Sequence, residues 1–145
     1  MQVTITYDNI VSLVKEEISK EASLAHSADG VSLYDKLKLT SRDDEKIIRL
    51  TLDAMSYIQD QCGRFISSAE FGDAIVVTIE ASTRRINGKE SSVEHMLKSV
   101  VVNAIMRKYL LYKNETDLAT KYETFITEEI SNLKRTLFTK HPPIY

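Results

Sequence analysis

The chain has 145 residues, 43% hydrophobic and 28% charged, with 19 basic and 21 acidic side chains and a net charge of −2. A chain of this size folds as one ordinary domain that buries about 68–70% of its unfolded surface. Its near-neutral field and pI of about 5.9 give no electrostatic case for wrapping duplex DNA or binding an anionic membrane.

Cys62 is the single cysteine, so an intrachain disulfide is excluded and a reducing compartment fits best. No apolar run approaches the roughly 20 residues of a membrane span, and Met1 to Thr6 lack the basic-then-apolar order of a signal peptide. A soluble, unexported protein is expected. With four glycines and two prolines, its helices can run long.

The first expected helix runs from Asp8, as N-cap, to about Ala25-His26. It has Ile10, Val11, Val14, Ile18, Ala22 and Ala25 on one stripe and Lys15, Glu16, Glu17, Lys20 and Glu21 opposite. Ser27-Ala28-Asp29-Gly30 ends it, and residues 31–40 read as a helical turn or an extended link that plugs Leu33, Leu37 and Leu39 into the core.

The second helix is the best marked. Ser41 and Asp44 form a capping pair, and Asp43, Asp44 and Glu45 suit the positive end of the helix dipole. Ile47, Ile48, Thr51, Leu52, Ala54, Met55, Ile58 and Cys62 recur at three- and four-residue steps, and Gly63 is placed to end the helix in a left-handed C′ conformation. Beyond it, Ala74 to Glu80 is short, β-branched and preceded by Gly72, which favours a strand over the alternative of a packed helix. Asn87-Gly88 is the strongest hairpin dipeptide, so residues 82–86 and 89–91 are expected to pair around it, making residues 72–90 a β-prone hairpin excursion. An isolated hairpin is marginal, so such a strand needs partners from elsewhere in the chain or from another subunit.

Ser91 and Glu94 repeat the capping signal, and Val93, Leu97, Val100, Val101, Ala104, Ile105 and Leu111 continue at helical spacing to about Lys113. Leu97 to Ile105 is apolar on more than one face, which makes this the central helix. After Asn114-Glu115-Thr116-Asp117 a last helix, with Leu118, Tyr122, Phe125, Ile126, Ile130, Leu133 and Leu137, returns antiparallel to about residue 138. Pro142-Pro143 then forbid helix, so residues 139–145 read either as an extended arm with an apolar tip or as a disordered terminus. The fold class expected is mainly α: about four bundled helices in one domain, 1–138, with the hairpin excursion and the arm.

Nothing in the chain carries a recognisable catalytic or phosphate-binding motif, and His26, His95 and His141 lie on different elements. Glu94 and His95 are neighbours in sequence but do not face each other on a helix. Glu16-Glu17 and Glu128-Glu129 read as solvated faces. Arg84, Arg85 and Lys89 form a small basic tip, and Lys134, Arg135 and Lys140 a second, without interleaved aromatics. The expectation is therefore a protein that is no enzyme and needs no cofactor or metal.

The acidic opening at Asp43-Asp44, then Ile47-Ile48, Ala54, Tyr57-Ile58 and Cys62-Gly63-Arg64, resembles the first core helix of the head–tail connector (adaptor) proteins of tailed bacteriophages. The match covers about 25 residues, and the two long helices after it are similar to the family's later ones. The helix and linker ahead of the acidic run are longer than the family's pattern, and the β-prone stretch stands where the family has a short connection. The resemblance implies a structural virion protein of the neck, made in the host cytoplasm. It would assemble as a homo-oligomeric ring, usually dodecameric in this family, dock beneath the portal protein, extend the DNA channel and meet the next neck or tail protein.

By the same resemblance Lys140, His141, Pro142, Pro143, Ile144 and Tyr145 are the portal-contact candidates. Ile75, Val77, Ile79, Arg84, Arg85 and Lys89 are the candidates for contact with neighbouring subunits or the tail. DNA would pass through the channel without sequence-specific binding, and no membrane is involved. Two other readings stand beside it: a different neck or head-completion subunit, and a small DNA-binding regulatory module, which predicts salt-dependent binding of free duplex that is lost when Arg84 and Arg85 are changed.

Overall fold

A computed structural model describes residues 2–24, 43–63, 66–71, 74–79 and 90–138. The first element is one the sequence reading did not assign. Val3 and Ile5 are buried while Gln2, Thr4 and Thr6 are exposed, the period of two that makes a half-buried strand, β1 (Gln2–Thr6). Helix α1 (Tyr7–Leu24) follows without a loop. Thr6 Oγ1 accepts a hydrogen bond from the Asn9 N–H at 3.4 Å, so Thr6 is both the end of the strand and the cap of the helix. Asp8, the expected cap, falls instead in the first turn, where its charge still suits the dipole.

Helix α2 (Asp44–Gln61) buries Ile47, Leu50, Thr51, Ala54, Met55 and Ile58. Thr51 is accommodated there because its hydroxyl donates to the Ile47 carbonyl at 2.8 Å. Asp43 stands at the N-cap without a side-chain cap bond, and Ser41 lies outside the described residues. Lys15 Nζ on α1 reaches Asp44 Oδ1 at 2.9 Å and ties the two helices together at this end. The C-terminal expectation needs a correction. Cys62 closes the helix through its N–H to the Ile58 carbonyl at 2.8 Å, and Gly63 is not left-handed. What favours glycine at 63 is proximity, because a Cβ there would sit 3.0 Å from the Gln59 carbonyl oxygen.

Two further strands, β2 (Ile66–Phe71) and β3 (Ala74–Ile79), pair antiparallel, and β1 joins β3 from the other side to give the order β1-β3-β2. The register sets Val3 opposite Val77 and Ile5 opposite Ile75 across one edge, and Phe71 opposite Ile75 across the other. β3 is thus the middle strand, which rules out the helical alternative for it. The mainly helical body with a small antiparallel hairpin is as expected; the described hairpin joins Ile66–Phe71 to Ala74–Ile79 and so begins ahead of residue 72, and residues 80–89 lie outside the described residues. β3 pairs back with 66–71, and Glu90 and Ser91 belong to the helix that the Ser91–Glu94 signal announces rather than to the strand expected at 89–91. Asn87-Gly88 lie outside the described residues.

Helices α3 (Glu90–Tyr112) and α4 (Thr116–Phe138) form the longest contact in the molecule. The connection between them is a Schellman closure. The Glu115 N–H bonds the Leu110 carbonyl at 2.9 Å and the Asn114 N–H the Leu111 carbonyl at 3.1 Å. This geometry requires a left-handed residue at 114, and Asn114 supplies it with φ 59°. Glu115 then serves the next helix, its carbonyl accepting from the Ala119 N–H at 3.0 Å.

As its two-faced apolar pattern demands, α3 is the central helix. Val100 to Asn103 are all buried, as are Ile105, Met106, Tyr109 and Leu110, and α1, α2 and α4 all pack against it. The sheet's inner row, Val3, Ile5, Ile75, Val77 and Ile79, completes the same core.

Candidate functional site

Packing three helices around α3 leaves grooves between them, of which two concern the site. The first lies between α2, α3 and α4 and encloses about 350 Å³. Its floor is Leu50, Ala54, Ala104 and Ile126, and the small residues at 54 and 104 are what open it. Ion pairs cross its rim, Lys108 Nζ to Asp53 Oδ2 at 3.3 Å and Arg107 Nε to Glu123 Oε2 at 3.9 Å. At one side stands Tyr57, 45% exposed and one of the largest apolar side chains on the surface. An apolar floor, a free aromatic wall and a rim of both signs make a seat for an apolar side chain of a partner, the anatomy of an interface core with its polar rim.

The second groove, of about 470 Å³, lies between α1, α3 and α4. Two polar clusters flank it. In one, the Tyr122 hydroxyl donates to Glu21 Oε1 at 2.8 Å and approaches Glu17 Oε2 at 3.3 Å, while Lys121 Nζ reaches Glu21 Oε1 at 2.5 Å. Burial, then the two carboxylates it faces, hold the Tyr122 phenol well above the usual tyrosine range. Its ring meets Phe125 edge to face, centroids 5.7 Å apart.

In the other cluster, Ser99 Oγ and Asn103 Nδ2 on α3 donate to Glu129 Oε1 on α4 at 2.8 and 3.1 Å. Glu129 Oε2 is buried without a partner. Burial raises the Glu129 carboxyl above its ordinary range, against the lowering effects of Ser99, Asn103 and the His95 charge.

Elsewhere, Lys46 Nζ sits 4.3 Å from the Tyr112 ring centre. Tyr109 beneath it is pushed up to about 12 by burial and then by Asp43. Cys62 is buried and its thiol is raised by that burial, with Lys134 opposing. Among the described residues no group of three or more His, Cys, Asp or Glu side chains is placed to hold a metal ion, and no helix is long and apolar enough to cross a membrane.

The candidates taken from the sequence fall differently. Ile75, Val77 and Ile79 are corrected: as alternate residues of the middle strand they turn inward, at most 2% exposed, and have no surface to offer a neighbour. Arg84, Arg85 and Lys89, and the arm residues Lys140, His141, Pro142, Pro143, Ile144 and Tyr145, lie outside the described residues.

Sequence reading missed both clusters, although a signal was present. Glu129 is three residues after Ile126 and four before Leu133, and Glu21 is three after Ile18, so each lies on its helix's own buried stripe rather than on the solvated face. Compared with family models, curated proteins and solved structures, the chain matches none of them.

Proposed function

We propose that this chain is a structural virion protein, a subunit of the ring-forming head–tail connector of a tailed bacteriophage, which docks beneath the portal, extends the DNA channel and joins capsid to tail. The observation that carries the reading is the fate of the acidic-run helix. Of the residues that give α2 its likeness to connectors, Ile47, Ala54 and Ile58 are consumed by the core, as in any amphipathic helix, but Tyr57 is not. It stands exposed over the groove between α2, α3 and α4. An exposed tyrosine beside an apolar-floored groove suits a surface that receives another subunit, where aromatic side chains are the favoured anchors. The role is mechanical: α3 and its three neighbours form a rigid body, and the groove and the arm engage what lies beside and above it.

The test is to mix the purified chain with the portal protein of the same genome and image the mixture by negative stain. An added tier of density on the narrow end of the portal is expected, with removal of residues 139–145 testing the arm as the portal contact. If no tier forms while a control connector binds its own portal, the reading fails, and titration with duplex DNA at varied salt is the next experiment.

A further inference from the structure

The groove between α1, α3 and α4 encloses about 470 Å³, and its charges do not balance. Both lysines that line it are already held by carboxylates, Lys20 by Glu17 at 3.4 Å and Lys98 by Glu94 at 3.1 Å. Two of its carboxylates have no cation to answer them. Glu16 stands exposed on the α1 side with no charged partner among the described residues. Glu129 keeps Oε1 for Ser99 and Asn103, while Oε2 is buried without a partner. His95 lines the groove as well but donates to neither oxygen. Between the carboxylates the walls are apolar, Leu13 from α1, Val102 from α3 and Phe125, 37% exposed, from α4. Buried acceptors are normally answered, and the last torsion of a glutamate is soft enough to turn Oε2 toward the groove.

From this imbalance we infer that the groove receives an arginine side chain of a partner polypeptide, its stem along Leu13, Val102 and Phe125 and its guanidinium shared between Glu129 and Glu16. A partner that brought a carboxylate would meet repulsion, and a wholly apolar one would seal Glu129 Oε2 away from any donor. A lysine would bring a compact, strongly hydrated charge. The guanidinium is more weakly hydrated, and its five N–H donors, spread in one plane, serve carboxylates on two helices at once. It also stacks on aromatic rings, and the ring of Phe125, set edge to face against Tyr122, lines the groove. The long apolar stem of arginine matches the apolar walls, so the charge is delivered without burying unsatisfied polar groups. This is not the groove edged by Tyr57, and the inference does not rest on the connector reading: a missing tier in the portal mixture leaves it standing, and its own failure leaves that reading standing.

The test titrates the isotope-labelled full chain with N-acetyl-arginine N-methylamide and follows its amide resonances by NMR. Saturable shifts are expected at Ser99, Val102, Asn103 and Phe125, with an affinity of order millimolar for so small a probe. N-acetyl-citrulline N-methylamide, which keeps the shape and lacks the charge, is expected to bind at least about tenfold more weakly. Glu129→Gln should weaken binding of the arginine probe about tenfold and Glu16→Gln severalfold, each with the circular dichroism unchanged. No saturable shift, equal binding of the citrulline probe, shifts scattered over the surface carboxylates, or binding indifferent to both substitutions would overturn the inference. Butylguanidine bound about tenfold more tightly than the blocked arginine would make the groove a small-molecule site. Shifts at the same residues on raising the protein concentration alone would assign it to a second copy. Either result also overturns the inference.

Discussion

Replacing Tyr122 by Phe removes one oxygen from a ring that is 1% exposed and leaves its packing in place. The hydroxyl makes a 2.8 Å bond to Glu21, a carboxylate 6% exposed, and a longer 3.3 Å bond to Glu17, whose side chain solvent can reach. The shorter bond should dominate. A hydrogen bond to a charged group contributes about 1.5–3 kcal/mol, and losing it leaves Glu21 with Lys121 alone. For a chain near 150 residues, each kcal/mol shifts the melting temperature by about 2–4 °C, so Tyr122→Phe should melt about 3–12 °C below the parent at pH 7.

Calorimetry or urea unfolding measures the loss, and a double-mutant cycle with Glu21→Gln assigns it: the two changes together should cost less than the sum of each alone. The pH dependence has a definite sign. The phenol's pKa is raised in the folded state, so its contribution is whole below the unfolded tyrosine value of about 10 and is lost as pH rises through the folded value. The gap between parent and Tyr122→Phe should therefore narrow above about pH 10. A loss under about 0.5 kcal/mol, or strict additivity with Glu21→Gln, would refute the claim that this contact fastens α4 to α1.

Glu129→Gln should leave the melting temperature at pH 7 unchanged or higher, because the folded state raises this carboxyl's pKa and so disfavours its charge. The parent gains as pH falls toward the unfolded value of about 4.3, and there the difference should close; a drop beyond about 1 kcal/mol at pH 7 would contradict it. Asn114→Ala should cost about 1–2 kcal/mol through the left-handed backbone at φ 59°, while Asn114→Gly should cost nothing or stabilise, as thermal melts can read. Cys62, buried and with its thiol pKa raised, should resist a thiol reagent in the native protein and react at the ordinary rate in denaturant. Tyr57→Ala should change stability by no more than about 0.5 kcal/mol yet remove the added tier in the portal mixture; a normal tier would detach the groove from the proposed function.

The helices were legible because each announces itself twice, by period and by ends. α2 shows this in its acidic first turn and its stripe from Ile47 to Ile58, and α3 in the unbroken burial of Val100 to Asn103. The strands were less so. β1 is five residues long, too few for its alternation to stand out, and it hands over to α1 at Thr6 with no turn residue between them. The Asn87-Gly88 signal falls outside the described residues, and the pairing of Ala74–Ile79 with both neighbours was not legible because register is decided by which rows face the core, and the residues set opposite Ile75 and Val77 on the first strand, Ile5 and Val3, are distant in sequence. Of the candidate site, the period alone could mark Glu21 and Glu129 as buried carboxylates, but not the partners that answer them. Tyr122 lies 101 residues from Glu21 in the chain, and Ser99 lies 30 from Glu129.

The sheet also changes what assembly has to explain. A β-prone run with no visible partner argued from sequence for a neighbour that would complete it. Here β1 and β2 complete it from within, so Ile75, Val77 and Ile79 are spent on the monomer's own core. Among the described residues, the argument for a partner moves to the opposite kind of evidence, side chains that the core leaves unused. Tyr57 and Phe125 are large, apolar and partly exposed, on different grooves flanking the same central helix. Under the proposed function the two grooves, one edged by Tyr57 and the other by Phe125, would give separate seats to two different neighbours.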